Sequence, residues 1–136
     1  MFQSLWQDVA ARIGRYRSYP RLVGETGGKN FVLAHASADV DAYATALVRG
    51  AFEYQGQKCS AASRAYIPKS LWPAVRERVL AQVADIRQGD PADFRNFMAA
   101  VIDERAYERL SRRLDATRRD AGAKILAGGG GDRSEG

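Results

Sequence analysis

The 136-residue chain has one cysteine, one histidine, two methionines and four prolines. A single thiol, Cys59, excludes an internal disulfide framework and points to a reducing compartment. A single histidine, His35, cannot by itself form a metal site and has no serine or cysteine partner nearby in sequence, so a structural role is expected. No apolar run approaches the roughly 18 residues needed to cross a bilayer, and no apolar signal core follows Met1. Internal repeats are absent, and low complexity is confined to Gly128–Gly131. With 46% hydrophobic and 27% charged residues the composition is that of a globular domain, and it excludes wholesale disorder.

Positive charge is abundant. The net charge is +5, and 17 of the 21 basic residues are arginine. Six of them (Arg105, Arg109, Arg112, Arg113, Arg118, Arg119) fall in one helical stretch, the best case for nucleic-acid binding. Glu104, Glu108, Asp115 and Asp120 are interleaved with them, which is the pattern of a solvated, ion-paired face, so no nucleic-acid partner is expected. Asp39, Asp41, Asp85, Asp90 and Asp93 lack metal-ligand spacing and read as caps and turns, so no metal is expected either.

Periodicity predicts alternating helices and strands, hence an α/β layer structure. Phe2, Leu5, Trp6, Val9 and Ile13 mark a first helix, stopped by Pro20. Leu22–Val23 reads as a short strand, Gly27-Gly28 as a turn that main chain can approach closely, and Phe31–Ala34 as a buried strand. A second helix, capped by Ser37 or Asp39, presents Val40, Tyr43, Leu47, Val48, Ala51 and Phe52 on one face. Arg64–Ile67 is a strand, and Ser70 is expected to cap a third helix bearing Trp72, Val75, Val79, Leu80 and Val83. After a turn at Gly89-Asp90-Pro91, Asp103 starts a fourth helix, and Lys124–Ala127 reads as a last strand. Few strands over this length leave sheet edges open, so the chain is expected to be a segment of something larger. Apolar groups at Trp6, Leu47, Phe52 and Trp72 are then expected to lack partners.

Two loops carry candidate chemistry. Cys59 lies after the second helix beside Lys58, and a neighbouring cation stabilises a thiolate, the nucleophilic form. The alternative is an inert, small apolar side chain. Glu25, between a strand end and a double glycine, has the placement of a general base, or of a solvated turn residue.

The segments Glu25-Thr26-Gly27-Gly28-Lys29-Asn30 and Gly56-Gln57-Lys58-Cys59-Ser60 resemble the glutamate and cysteine motifs of the aldehyde dehydrogenase superfamily. The flanks, Tyr19-Pro20-Arg21-Leu22-Val23-Gly24, Ala51-Phe52-Glu53-Tyr54-Gln55, Gly89-Asp90-Pro91 and Ala100-Val101-Ile102-Asp103, are similar to its 1-pyrroline-5-carboxylate dehydrogenase branch. The resemblance runs from about Phe2 to Gly129. It implies a partial aldehyde dehydrogenase fold: residues 1–27 as the end of an NAD-binding domain and 28–136 as the first part of the cysteine-bearing catalytic domain. It implies NAD as cofactor and L-glutamate γ-semialdehyde as substrate, oxidised to L-glutamate in proline breakdown. Cys59 is then the nucleophile and Glu25 the base that activates the hydrolytic water. Thr26 and Gly27 present main chain to the nicotinamide, while Ser60 and Lys58 meet the substrate carboxylate. The resemblance further implies a homo-oligomeric parent, coupling to proline dehydrogenase, no membrane, and a cytoplasmic or, in eukaryotes, mitochondrial-matrix location. It also implies that the isolated chain, lacking most of the dinucleotide fold, does not turn over; an inert product that merely retains the motifs is the alternative.

Overall fold

The computed structural model describes residues 1–134. The amphipathic opening forms α1 (Phe2–Ala11) and ends in a 3-10 turn at Ile13–Arg15. Phe2 and Trp6, one turn apart, stack with ring centroids 5.6 Å apart, but α1 buries no residue fully and Trp6 remains 55% exposed. Residues 16–29 follow without regular structure. The strand expected at Leu22–Val23 does not form: no neighbouring backbone supplies a ladder there, and Val23 faces solvent.

Two strands pair in parallel, β1 (Asn30–Leu33) with β2 (Ala62–Tyr66). The register sets Val32 opposite Ala65 and Leu33 opposite Tyr66, with an irregularity between Asn30 and Phe31. Parallel strands need a crossover, and α2 (Val40–Phe52) supplies it. Of the two expected caps Asp39 is the one used, its Oδ1 accepting from the Ala42 N–H at 2.7 Å. Ser37 instead bonds His35 Nδ1 at 2.8 Å.

The third helix, α3 (Trp72–Ala84), packs on α2. Ser70 does not cap it. The chain turns at Pro68, whose carbonyl accepts the N–H groups of Leu71 and Trp72 at 3.0 and 3.1 Å, and Pro73 has no N–H to satisfy in the first turn. Tyr43, Leu47 and Val75 close with Ala34 into the core, flanked by Val32, Val40, Ile67 and Val79. Tyr43 reaches Val32 O with its hydroxyl at 3.4 Å, and burial raises its phenol above the ordinary value. Leu47, expected to be unpartnered, is 8% exposed, because α3 folds over it. Trp6, Phe52 and Trp72 do remain exposed.

Helices cover only one face of the sheet. Phe31 and Leu33 are therefore 61% and 70% exposed, so the strand expected to be buried is half open, with Phe31 edge-on to Tyr66. Beyond α3 a bridge joins Gln88 to Met98, closing the turn at Gly89-Asp90-Pro91. The last helix, α4 (Glu104–Arg119), begins as expected at Asp103, whose Oδ1 accepts from the Ala106 N–H at 2.7 Å. Lys124–Ala127 is irregular rather than a strand, since no strand lies beside it. An open cleft of about 1590 Å³ separates α3 from α4 and the glycine-rich tail, lined by Val75, Val79, Tyr107 and Leu114 among others. No helix among the described residues is long and apolar enough to cross a membrane.

Candidate active site

The large cleft is not where the candidate residues meet. Neither Cys59 nor Glu25 lines it. Cys59 lies instead at the entry to the sheet, where parallel pairing brings the start of β1, with Gly28 and Asn30, beside the start of β2. Asn30 opens β1 opposite Ala62, and the residues preceding each strand are thereby neighbours. Asn30 Nδ2 donates to the Cys59 carbonyl at 2.6 Å. A Cβ built on Gly28 would lie 2.9 Å from that same oxygen, so the second glycine of the pair is a packing requirement.

The loop that carries the thiol is built by local geometry. At the end of α2 the chain passes through Tyr54, Gln55 and Gly56, all left-handed, with φ of 57°, 58° and 66°. Such a run is costly for the two residues that carry a Cβ, and it is tied down on both sides. Gln55 Nε2 donates to Ala100 O at 2.9 Å, and Gln57 Oε1 accepts from the Ile102 N–H at 3.1 Å. The Ala61 N–H then bonds Lys58 O at 3.1 Å, a four-residue turn with Cys59 and Ser60 at its tip. Cys59 is exposed there as a free thiol.

Lys58 points its ammonium to Glu53, with Nζ 2.7 Å from Oε2, while Arg49 holds Oε1 at 2.6 Å. These two cations, Lys58 first, keep the Glu53 carboxyl below the usual carboxylate range. Glu25, Thr26 and Gly27 are exposed on the irregular segment leading to Gly28. Gly27 has φ of +118°, a conformation that favours glycine, and open space surrounds its missing side chain. The structure thus joins Gly28, Asn30 and Cys59 by direct contact, and places Glu25, Thr26 and Gly27 on the strand of chain that makes it. No cluster of three or more metal-ligating side chains occurs among the described residues. On α4, Arg112 pairs with Glu108, Arg118 with Asp115, and Arg133 from the tail with Glu104.

Three contributors escaped the sequence reading of roles: Gly28, Asn30 and Glu53. An asparagine opening a strand is unremarkable until its partner strand is known. Glu53 had a local signal, an acid four residues after Arg49 and five before Lys58.

A motif pair this far apart in sequence, brought into contact by a parallel β-α-β unit, agrees with the comparison to known proteins. Residues 6–136 match the aldehyde dehydrogenase family. The chain belongs to that family. Among aldehyde dehydrogenases it is 51% identical over 129 residues to the mitochondrial delta-1-pyrroline-5-carboxylate dehydrogenase of Mus musculus, covering 94% of this chain and 23% of that protein. The Homo sapiens protein of the same name is 48% identical over 136 residues, covering 99% and 24%. The NAD-bound crystal structure of the Mycobacterium tuberculosis enzyme superimposes with a TM-score of 0.83 at 52% identity, over 99% of this chain and 25% of that one. The NAD-bound enzyme from Thermus gives 0.74 at 30% identity, over 82% and 21%. The chain spans about a quarter of the length of these aldehyde dehydrogenases, and its structure is the corresponding part of their fold.

Proposed function

We propose that the chain carries the nucleophile and hydrolytic base of an NAD-dependent dehydrogenase that oxidises L-glutamate γ-semialdehyde, the open form of 1-pyrroline-5-carboxylate, to L-glutamate. The observation that supports this most directly is the bond from Asn30 to the Cys59 carbonyl, which locks the glutamate segment against the cysteine loop. On this reading residues 1–27 end an NAD-binding domain and 28–136 begin the catalytic one.

The thiolate of Cys59 attacks the aldehyde carbon and forms a thiohemiacetal, while its own N–H faces the developing oxyanion. A turn tip suits this task because it leaves the sulfur exposed. NAD, when bound, supplies the hydride acceptor. The open main chain at Thr26-Gly27 fits a flat ring, since nothing lies within 4 Å of the position a Gly27 side chain would take. Once the adduct is a thioester, Glu25 takes a proton from water, and the hydroxide attacks the acyl carbon and releases Cys59. Ser60 at the same tip donates to the substrate carboxylate. Lys58 is taken up by its ion pair with Glu53. Homo-oligomeric assembly, coupling to proline dehydrogenase, and a location in bacterial cytoplasm or mitochondrial matrix belong to the same reading.

The test replaces the matching segment of the Mycobacterium tuberculosis enzyme with residues 1–134 of this chain and measures NADH formation with pyrroline-carboxylate. An active hybrid that loses all activity on Cys59→Ala is expected. Full activity in the Cys59→Ala hybrid refutes the assignment.

A further inference from the structure

The residues just before Cys59 form a small closed circuit. Arg49 on the last turn of α2 and Lys58 on the loop both hold Glu53, one on each carboxylate oxygen. Between Glu53 and Lys58 lie the two left-handed residues Tyr54 and Gln55, which favour a different backbone when nothing constrains them. Closing a five-residue interval through one carboxylate limits the conformations open to the intervening chain. On the far side of Cys59, its carbonyl is fixed by Asn30. The nucleophile is therefore held from both directions.

We infer that Glu53 is a positioning residue for Cys59, clamping Lys58 to the end of α2, and that Lys58 serves as the clamp's other jaw rather than as a substrate ligand. This deepens the dehydrogenase reading and rests on it for its catalytic consequence. The clamp itself is a property of the chain and is measurable without turnover. Exposed ion pairs are individually weak, so the effect is one of loop order rather than of global folding. Glu53→Gln keeps the size and removes the charge. Lys58→Met removes the other jaw, and Lys58→Arg retains it.

Amide hydrogen exchange on the 136-residue chain provides the first test. The N–H of Gln57 bonds Tyr54 O at 3.0 Å, and that of Ala61 bonds Lys58 O at 3.1 Å, so both report on the turn. In Glu53→Gln and in Lys58→Met these amides should exchange about threefold to tenfold faster, with amides in α3 unchanged. The double variant should match either single one, and Lys58→Arg should stay near wild type. In the hybrid enzyme Glu53→Gln should lower kcat by a similar factor with KM within twofold, and Lys58→Arg should restore kcat relative to Lys58→Met. Unchanged exchange at Gln57 and Ala61 in Glu53→Gln overturns the clamp. So does a rise in KM without loss of kcat in Lys58→Met, which makes Lys58 a substrate ligand. An active Cys59→Ala hybrid overturns the dehydrogenase reading while leaving the exchange result to stand for the clamp.

Discussion

Gly28→Ala tests the junction between the two motifs with a single carbon atom. A Cβ at this position would meet the Cys59 carbonyl oxygen at 2.9 Å, against about 3.3 Å for a close carbon–oxygen contact, an overlap of roughly 0.4 Å. The oxygen belongs to main chain, so it cannot rotate away as a flexible side chain would. It also accepts from Asn30 Nδ2 at 2.6 Å, and that amide lies 3.4 Å from the new carbon. Relief therefore moves the cysteine turn away and stretches this bond, whose net worth is about 0.5–1.5 kcal/mol. With residual strain the loss in stability is about 1–2 kcal/mol, or a urea midpoint lower by roughly 0.5–1 M for a slope near 2 kcal/mol/M. On the proposed role of Cys59, a displacement of this size there should cost the hybrid enzyme about tenfold in kcat/KM, since misplacements near 1 Å cost about 10². Gly14→Ala is the control: nothing lies within 4 Å of its Cβ position, and both quantities should stay unchanged. A wild-type urea midpoint together with wild-type kcat/KM in Gly28→Ala would refute the packing argument.

The remaining predictions concern charge and turnover. Glu25→Gln in the hybrid should spare hydride transfer and slow thioester hydrolysis, giving an NADH burst and then a slow steady state in rapid-mixing kinetics; an unaltered steady state contradicts the base role. Glu53 and Asp93 have carboxyls held below their ordinary values of 4.5 and 3.8, by Lys58 with Arg49 and by Arg95 respectively. Their contribution to stability is thus full above those values and lost as pH falls through the lower folded-state values. For Glu53 the readout is local: protection of the Gln57 and Ala61 amides should fall as pH drops below about 4.5, and Glu53→Gln should remove that fall; an identical pH dependence of protection in the variant removes Glu53 from the account.

What the sequence by itself determined was local. Helical periodicity located α1, α2 and α3, the carboxylates of Asp39 and Asp103 marked where α2 and α4 begin, and the two motifs singled out Cys59 and Glu25 as candidates. These are decisions made within a turn or two of chain, by side chains that carry their own signal. Tertiary structure decided everything that depends on a distant partner. Leu22–Val23 and Lys124–Ala127 have strand-like residues but no neighbouring strand, and a strand without a ladder is not formed. Phe31 and Leu33 look like core in sequence and face outward, because helices cover one side of the sheet only. Leu47 is buried by α3, which a single helix face does not disclose. The contacts of Gly28 and Asn30 with Cys59 arise from the parallel register of β1 and β2, which sets residues some 30 positions apart side by side. A sequence names the groups that carry chemistry, whereas strand register sets which of them touch.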